Sequence, residues 1–363
     1  MAKITIRDIA NMAGVSPAAV SFVINDRPGV SDETRRKIKK IIEKTGFQPS
    51  VNASRLVYRR SFNIALDMHN VGASLNDLFY VSILRGLLDQ SKKYGYNIVF
   101  TEIEEVHNEA VLPKIIRNHD TDGIILMQSP STAALTALSS LDIPFVAVDA
   151  HEKGAPYTCV YVDYELASFV STSHLIENGH RKIAFISKGS VPDFYIQTFQ
   201  GFCRAVEKCD ISIPPDWIQV TADDEASAYA CMERILSGKS IPTAVFCAVD
   251  SFAFGAMKCA QNHGFQVPGD ISFSGVDNTL ISDYFKPSLT TVSIDKERIG
   301  ALAMDLIVEK IAGKTAGSVT VPSDNLVIRE SVKRIICGDS GDIGNGDGSG
   351  DRDGSGGGAN RFD

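Results

Sequence analysis

An α/β fold class, with an N-terminal all-α head followed by a two-lobed core of doubly wound parallel sheets, is what this chain of 363 residues predicts. Three observations predict it. Three short helical patterns crowd into the first 46 residues, short apolar runs alternate with longer helical patterns from Asn63 onward, and the charge is divided between the two parts. Residues 1–60 hold 12 Lys and Arg against 5 Asp and Glu, a net of +7, so the remainder carries −15 within an overall −8. An acidic bulk repels a phosphate backbone, so contact with nucleic acid is expected in the head alone.

The composition, 44% hydrophobic and 22% charged, suits more than one domain with a sizeable core. No stretch approaches the ~18 consecutive apolar residues of a membrane span, and MAKITIRDIANMAG lacks the apolar run of a signal peptide. A cytoplasmic chain with no membrane partner is expected. Seven cysteines (159, 203, 209, 231, 247, 259, 337) include no C-x-x-C. They read as reduced, mostly buried thiols, with no metal or cofactor.

In the head, Thr5 can cap a helix from Ile6 that buries Ile9, Ala10 and Ala13 and ends at Gly14. Ser16 caps a second helix with Pro17 at its first position and Ala19, Val20, Val23 and Ile24 as its apolar stripe. The Gly14-Val15-Ser16 turn between them gives a helix-turn-helix pattern. A third helix starts at Ser31, turns Ile38, Ile41 and Ile42 inward, and stops at Gly46, with Arg35, Arg36, Lys37, Lys39 and Lys40 as its outer face. A charge run alone is more often a solvated face. The tight turn and the small residues opening the second helix shift the balance to DNA binding.

Residues 48–60, QPSVNASRLVYRR, have the composition of a flexible linker. Beyond them NIALDM, YNIVF, DGIILM, PFVAVD, CVYVD, KIAFIS, AVFCAV and ISFSGVD read as buried parallel strands. FYVSILRGLLDQSKKYG, EAVLPKIIRNH, ELASFVSTSHLIENG, TFQGFCRAVEKC, EASAYACMERILSG, SFAFGAMKCAQNHG and KERIGALAMDLIVEKIAG read as the helices between them. That is more strands than one sheet holds comfortably, so two lobes are expected.

Ligands of open α/β sheets sit beyond the carboxyl ends of the strands. The polar residues there are Asp67, Thr101, Gln128, Ser129, Asp149, Asp163, Ser187, Asp250 and Asp277. Each aspartate alone reads more readily as a helix cap or a lobe-bridging ion-pair partner. Converging on one cleft, they suit a hydroxyl-rich ligand, with Phe79, Tyr195 and Trp217 as a stacking face.

Enzyme signatures are missing: there is no G-x-S-x-G, no G-x-x-x-x-G-K-[ST] and no H-E-x-x-H. The seven His are scattered, and His174 with His180 reads as structural. Residues 338–363 hold ten Gly in 26 positions and are expected to be disordered. Their Asp351-Arg-Asp353-Gly-Ser355-Gly resembles the start of a calcium loop but lacks the acidic twelfth position, where Phe362 stands.

The segment TIRDIANMAGVSPAAVSFVINDRPGVSDETRRKIKKIIEKTGFQPS resembles the DNA-binding head of the lactose/galactose repressor family, almost without gaps. GYNIVF, TDGIIL, IPFVAVD, HLIENGHRKIAFI, PTAVFCAVDSFAFGAM, VPGDISFSGVDN and PSLTTV extend the likeness to all but the last ~26 residues. The resemblance implies that helix 17–24 lies in the major groove, with Ser16, Pro17, Ala18, Ser21 and Phe22 near base edges and Thr5, Asn25 and Arg27 near phosphates. Phe22 stands where the family usually has Arg, so guanine cannot be read there through a bidentate bond.

The resemblance also implies that residues 48–60 form a hinge helix on DNA, with Leu56 wedged into the minor groove and Ala53 against a partner hinge. The family's A-R-S-L is Ala53-Ser54-Arg55-Leu56 here, so Arg55 is displaced by one position from its minor-groove role. A helix of ~8 residues is unstable alone, so its order would depend on DNA and the partner.

For the core the resemblance implies a periplasmic-binding-protein-like fold with an effector between the lobes, Asp250 being the family's effector-binding aspartate and Asp163 and Asp277 weaker matches. Thr198 replaces the family's clamping Arg in R-x-x-G-F, and the loop after the first strand is longer than usual. The expected organisation is a head at 1–47, a hinge at 48–60, a core at 61–337 and a tail at 338–363. Within the core, the N-lobe takes about 61–160 plus 293–321 and the C-lobe about 161–292 plus 322–337.

The function implied is a homodimeric DNA-binding transcription regulator, a repressor of a carbohydrate-utilisation operon, binding a pseudo-palindromic operator and controlled by a sugar-like effector. One alternative is control by a phosphorylated phosphocarrier protein, since VDYELAS resembles a stretch of members so controlled. From another class, the alternative is a cytoplasmic solute-binding protein.

Overall fold

The computed structural model describes residues 4–24, 27–47, 60–68, 77–152, 154–222 and 224–335. Asn25, the hinge positions Ala53, Arg55 and Leu56, and the tail lie outside the described residues.

Helices α1 (Ile6–Ala13), α2 (Pro17–Ile24) and α3 (Asp32–Thr45) close around Ile9, Ala10, Ala13, Val20, Val23, Ile38 and Phe47. Their ends follow from local chemistry. Thr5 Oγ1 accepts the Asp8 N–H at 3.3 Å while the Asp8 carboxylate accepts the Thr5 N–H at 2.8 Å, a reciprocal capping box. Gly14, at φ 69°, ends α1 in the left-handed region where a side chain is disfavoured. Ser16 Oγ accepts the Ala19 N–H at 3.2 Å, and Ser31 caps α3. One expectation fails: Arg35 is half-buried and donates to the Arg27 carbonyl at 2.6 Å, so it braces the loop before α3 instead of joining the outer basic face.

The core follows as β1 (Asn63–Asp67), α4 (Leu78–Tyr94), β2 (Asn97–Thr101), β3 (Glu104–Val106), β4 (Glu109–Val111), α5 (Lys114–Arg117), β5 (Gly123–Met127), α6 (Thr132–Ser139), β6 (Phe145–Val148) and β7 (Cys159–Val162). Next come α7 (Tyr164–Glu177), β8 (Ile183–Lys188), α8 (Pro192–Glu207), β9 (Ile218–Thr221), α9 (Glu225–Leu236), β10 (Ala244–Cys247), α10 (Asp250–Asn262), β11 (Ser272–Asp277), α11 (Ile281–Tyr284) and β12 (Thr290–Ser293). The last elements are α12 (Lys296–Ile311), β13 (Val319–Val321) and β14 (Asn325–Val327).

Two six-stranded sheets result. The first runs β13-β7-β6-β5-β1-β2, parallel throughout. The second runs β14-β12-β11-β10-β8-β9, parallel except for β14, which lies antiparallel to β12. The chain passes between the lobes three times: between β7 and β8, between β12 and β13, and between β13 and β14.

Helices pair through glycines at main-chain contact distance. A Cβ on Gly86 of α4 would stand 1.9 Å from the Glu297 carbonyl oxygen of α12, and one on Gly300 would stand 2.0 Å from that of Ile83. Gly201 meets the Glu165 carbonyl and Gly255 the Glu225 carbonyl in the same way, so α7–α8 and α9–α10 repeat the device.

The pattern EAVLPKIIRNH is not one helix. His107 and Asn108, at φ 53° and 64°, make a two-residue turn that pairs β3 with β4, and Pro113 leaves room for only the short α5. Helix α8 begins at Pro192, six residues before the expected start at Thr198, because Pro suits a first helical turn. Helix α6 and strands β9, β12, β13 and β14 are absent from the sequence reading, the helix being two turns long and the strands three or four residues each, too short for a periodic pattern to stand out.

Candidate functional site

Strand order reverses at β1, which has β2 on one side and β5 on the other, and at β8, between β9 and β10. These are the switch points where α/β sheets bind ligands. Facing them is a cavity of about 250 Å³ with walls from both lobes. Phe79, Tyr80, Gln128 and Asp149 come from the first, and Tyr164, Lys188, Phe194, Phe252 and Asp277 from the second. Gln128, Asp149 and Asp277 each follow or end a strand at positive φ, 75°, 57° and 114°. Such backbone costs about 1–3 kcal/mol per residue and persists where the surroundings enforce it, commonly at functional sites.

A hydrogen-bond chain spans the cavity. Gln128 Nε2 donates to Tyr80 Oη at 2.5 Å, Tyr80 Oη to Asp149 Oδ2 at 3.3 Å, and Tyr164 Oη to Asp149 Oδ1 at 2.7 Å. Burial, and then the Asp149 charge, push both phenols well above their usual range, so they remain donors. Asp277 differs: it is 6% exposed, and its carboxylate accepts no hydrogen bond among the described residues. Burial, and then the neighbouring Asp250 carboxylate, push its pKa well up. Lys296 gives no ion pair in return, since its Nζ is bound to the Asp277 and Ile294 carbonyls.

Of the nine expected effector residues, Phe79, Gln128, Asp149 and Asp277 line this cavity and the other five do not. Asp250 is fully buried behind it, accepting from Ser282 Oγ at 2.5 Å, Thr291 Oγ1 at 2.6 Å and the Thr279 N–H at 2.9 Å; it ties β12 and α11 to α10. Asp67 accepts the Ile103 N–H at 2.6 Å and so caps the turn after β2. Thr198 spends its hydroxyl on the Phe194 carbonyl at 3.0 Å and on Ser187. Tyr195 stacks on Phe199 at 5.5 Å, while Phe194, one position earlier and so about 100° round the helix, takes the cavity wall. Trp217 packs in the second lobe's core with Met232 and Ile186 and donates to the Ser240 carbonyl at 3.3 Å. Asp163 caps α7 through the Leu166 N–H.

In the head, Ser16, Pro17, Ala18 and Phe22 are exposed along α2, and Ser21 is half-buried. The Phe22 ring lies against Gly29, where an added Cβ would be 3.3 Å from Cδ2 and Cε2. Arg27 is exposed, and the Thr5 hydroxyl is engaged with the Asp8 carboxylate at 2.7 Å.

Residues 5–50 match the family model described as bacterial regulatory proteins, lacI family, and residues 172–332 match the periplasmic binding protein-like domain. The chain is 32% identical over 344 residues to the HTH-type transcriptional repressor PurR of Mannheimia succiniciproducens, an alignment covering 91% of this chain and 99% of that one. The chain belongs to the LacI family of bacterial regulatory proteins. As a LacI-family member it is a DNA-binding transcriptional regulator. Its fold matches the lac repressor dimer bound to operator and the anti-inducer ONPF, with TM-score 0.77 at 22% identity over 92% of this chain and 100% of that one. It also matches a complex of the transcriptional regulator CelR with cellobiose, with TM-score 0.67 at 24% identity over 90% and 99%.

In this LacI-family chain, Tyr80, Tyr164, Lys188, Phe194 and Phe252 are among the cleft residues that sequence reasoning missed, as are Asp77 and Thr279. Most sit in the first turn of a helix that follows a strand end, one or two positions from residues that were singled out. A wider depression of about 980 Å³ lies at the opposite edge of the first sheet, lined by Arg60, Ser61, Asp122, Pro144 and Lys310. It faces the amino ends of the strands, away from both switch points. No helix among the described residues is long and apolar enough to cross a membrane.

Proposed function

We propose that this regulator is a cytoplasmic, non-enzymatic, homodimeric repressor of a carbohydrate-utilisation operon, with a head at 1–47, a hinge at 48–60 and an effector-binding core at 61–337. The observation that carries this reading is a cleft walled by both lobes beside a basic helix-turn-helix head. A ligand that touches Asp149 and Tyr80 of one lobe and Phe194 and Asp277 of the other changes the relative stability of lobe arrangements. The shift reaches the operator through the hinge. A differential of about 3 kcal/mol between arrangements changes operator affinity a hundredfold. The lac repressor and CelR complexes, with ONPF and cellobiose bound, support a sugar-like effector.

Base edges would meet Ser16, Pro17, Ala18, Ser21 and Phe22, and phosphates Thr5, Asn25 and Arg27. In the dimer, Leu280, just before α11, and Tyr284, its last residue, 72% and 73% exposed, would lie against the partner. The test is operator selection with the full chain, followed by gel-shift titration and sedimentation. A dimer that prefers a pseudo-palindrome and responds to a sugar is expected. A monomer, or equal affinity for scrambled duplexes, overturns the reading.

A further inference from the structure

The cleft carries more carboxylates than the ammonium groups of its own residues offset. Asp149 and Asp277 line it and Asp77 stands exposed at its lip, while among the described residues of the lining Lys188 is the one lysine and there is no arginine. Lys188 is drawn towards the Phe194 ring, 4.7 Å from its centroid, and Lys296 Nζ, 6.0 Å from the Phe79 centroid, donates to the Asp277 and Ile294 carbonyls, so its charge lies beside Asp277 without a bond to the carboxylate. Asp149 already receives two phenol hydroxyls. Asp277 receives none from the described residues, although it is more than nine-tenths buried and faces the cavity. A buried carboxylate without a donor is costly, and a charge-assisted bond from an incoming group relieves it more than a neutral one does.

The remaining wall is aromatic on both sides. Phe79 and Tyr80 meet edge to face at 5.3 Å in one lobe, and Tyr164 and Phe194 at 4.7 Å in the other. Two of these rings already carry a lysine, Lys188 over Phe194 at 4.7 Å and Lys296 over Phe79 at 6.0 Å, so the wall is one at which cations are accommodated beside carboxylates. The cavity of about 250 Å³ falls below the ~300 Å³ at which pockets for drug-sized ligands begin, so its occupant is small.

We infer that the effector is a monosaccharide-sized polyol bearing a primary amine and no anionic group, its ammonium beside Asp277 and its hydroxyls towards Gln128, Asp149 and Thr279. The inference rests on the cleft being the effector site of the proposed function. A phosphorylated or carboxylated sugar would bring its charge against Asp77, Asp149 and Asp277, with Lys188 and Lys296 as the cations beside them among the described residues.

The test is calorimetry on the full chain with glucosamine, galactosamine and mannosamine, each beside its parent hexose and the hexose 6-phosphate. At least one amino sugar should bind, with its parent weaker by about tenfold or more and the phosphate weaker still. Asp277→Asn should abolish the preference for the amine. Because that variant alters a strained strand end, Lys188→Gln, on a half-buried side chain, serves as the second variant and should tighten amine binding. Equal or tighter binding of a parent or phosphorylated sugar, no binding by any amino sugar, or weaker amine binding by Lys188→Gln overturns the inference. Operator gel shifts judge the effector reading separately: an amino sugar that binds with this pattern but leaves operator affinity unchanged defeats that reading and leaves the ligand class standing.

Discussion

Tyr164 Oη donates to Asp149 Oδ1 at 2.7 Å, joining the first residue of α7 in one lobe to the end of β6 in the other. The bond is buried and its acceptor is a carboxylate, so it fixes the two lobes relative to each other at the cleft between them. Tyr164→Phe should lower stability by about 1.5–3 kcal/mol in urea unfolding. Tyr80→Phe should cost less, because its bond to Asp149 is longer at 3.3 Å. The reverse ranking would show that Tyr164 matters for packing and not for the bond.

Gly300 and Gly86 set how closely α4 and α12 approach. Gly300→Ala places a methyl 2.0 Å from the Ile83 carbonyl oxygen, and a main-chain atom cannot swing aside as a side chain can. A loss of about 1–3 kcal/mol or more is expected, read as a lower melting temperature. Gly317→Ala, with no atom within 4 Å of the added Cβ, is the control and should lie near wild type.

His180 is fully buried between Thr243 Oγ1 at 3.0 Å and the Lys333 carbonyl at 3.1 Å, and burial lowers its pKa to about 4. The unfolded chain takes up this proton near 6.5 and the folded one only near 4. Stability from this group is therefore complete above pH 6.5 and is lost as pH falls from there to 4, by up to ~3 kcal/mol. Unfolding free energies measured across that window should slope accordingly, and His180→Gln should flatten the slope.

No Arg, Lys, Asn or Gln occurs among residues 15–24, so α2 has no side chain able to form a bidentate bond to a purine. Its exposed apolar groups, Ala18 and the Phe22 ring seated on Gly29, suit thymine methyls. Replacing operator thymines by deoxyuridine should weaken wild-type binding at the contacted position. Phe22→Arg should instead acquire a guanine preference worth about 1–3 kcal/mol there. A guanine preference without uracil sensitivity would keep α2 in the groove and reject the methyl contact.

Signals that act over a few residues are legible in the sequence alone. Thr5 with Asp8, Gly14, Ser16 and Ser31 mark helix ends through bonds spanning three or four positions, and runs such as GIILM announce buried strands by composition. The head, the alternating core and the strand-end location of the cleft all follow from signals of this range, because caps and apolar periodicity do not depend on distant chain.

Which strand-end side chain faces the cleft depends on distant chain, and only the folded arrangement shows it. As polar residues at strand ends Asp250 and Asp277 look alike, and by resemblance Asp250 is the stronger effector candidate. The first is surrounded by Ser282, Thr279 and Thr291 and is consumed, while the second is held at φ 114° with its carboxylate unbonded towards the cavity. Phe194 and Tyr195 differ by one step of helix rotation, and that step sends one ring to the cleft and the other onto Phe199. The partner of Asp149, Tyr164, lies across a lobe boundary. Hydrogen bonds of this kind are allotted by long-range packing, and no local pattern encodes which of several equivalent groups receives them.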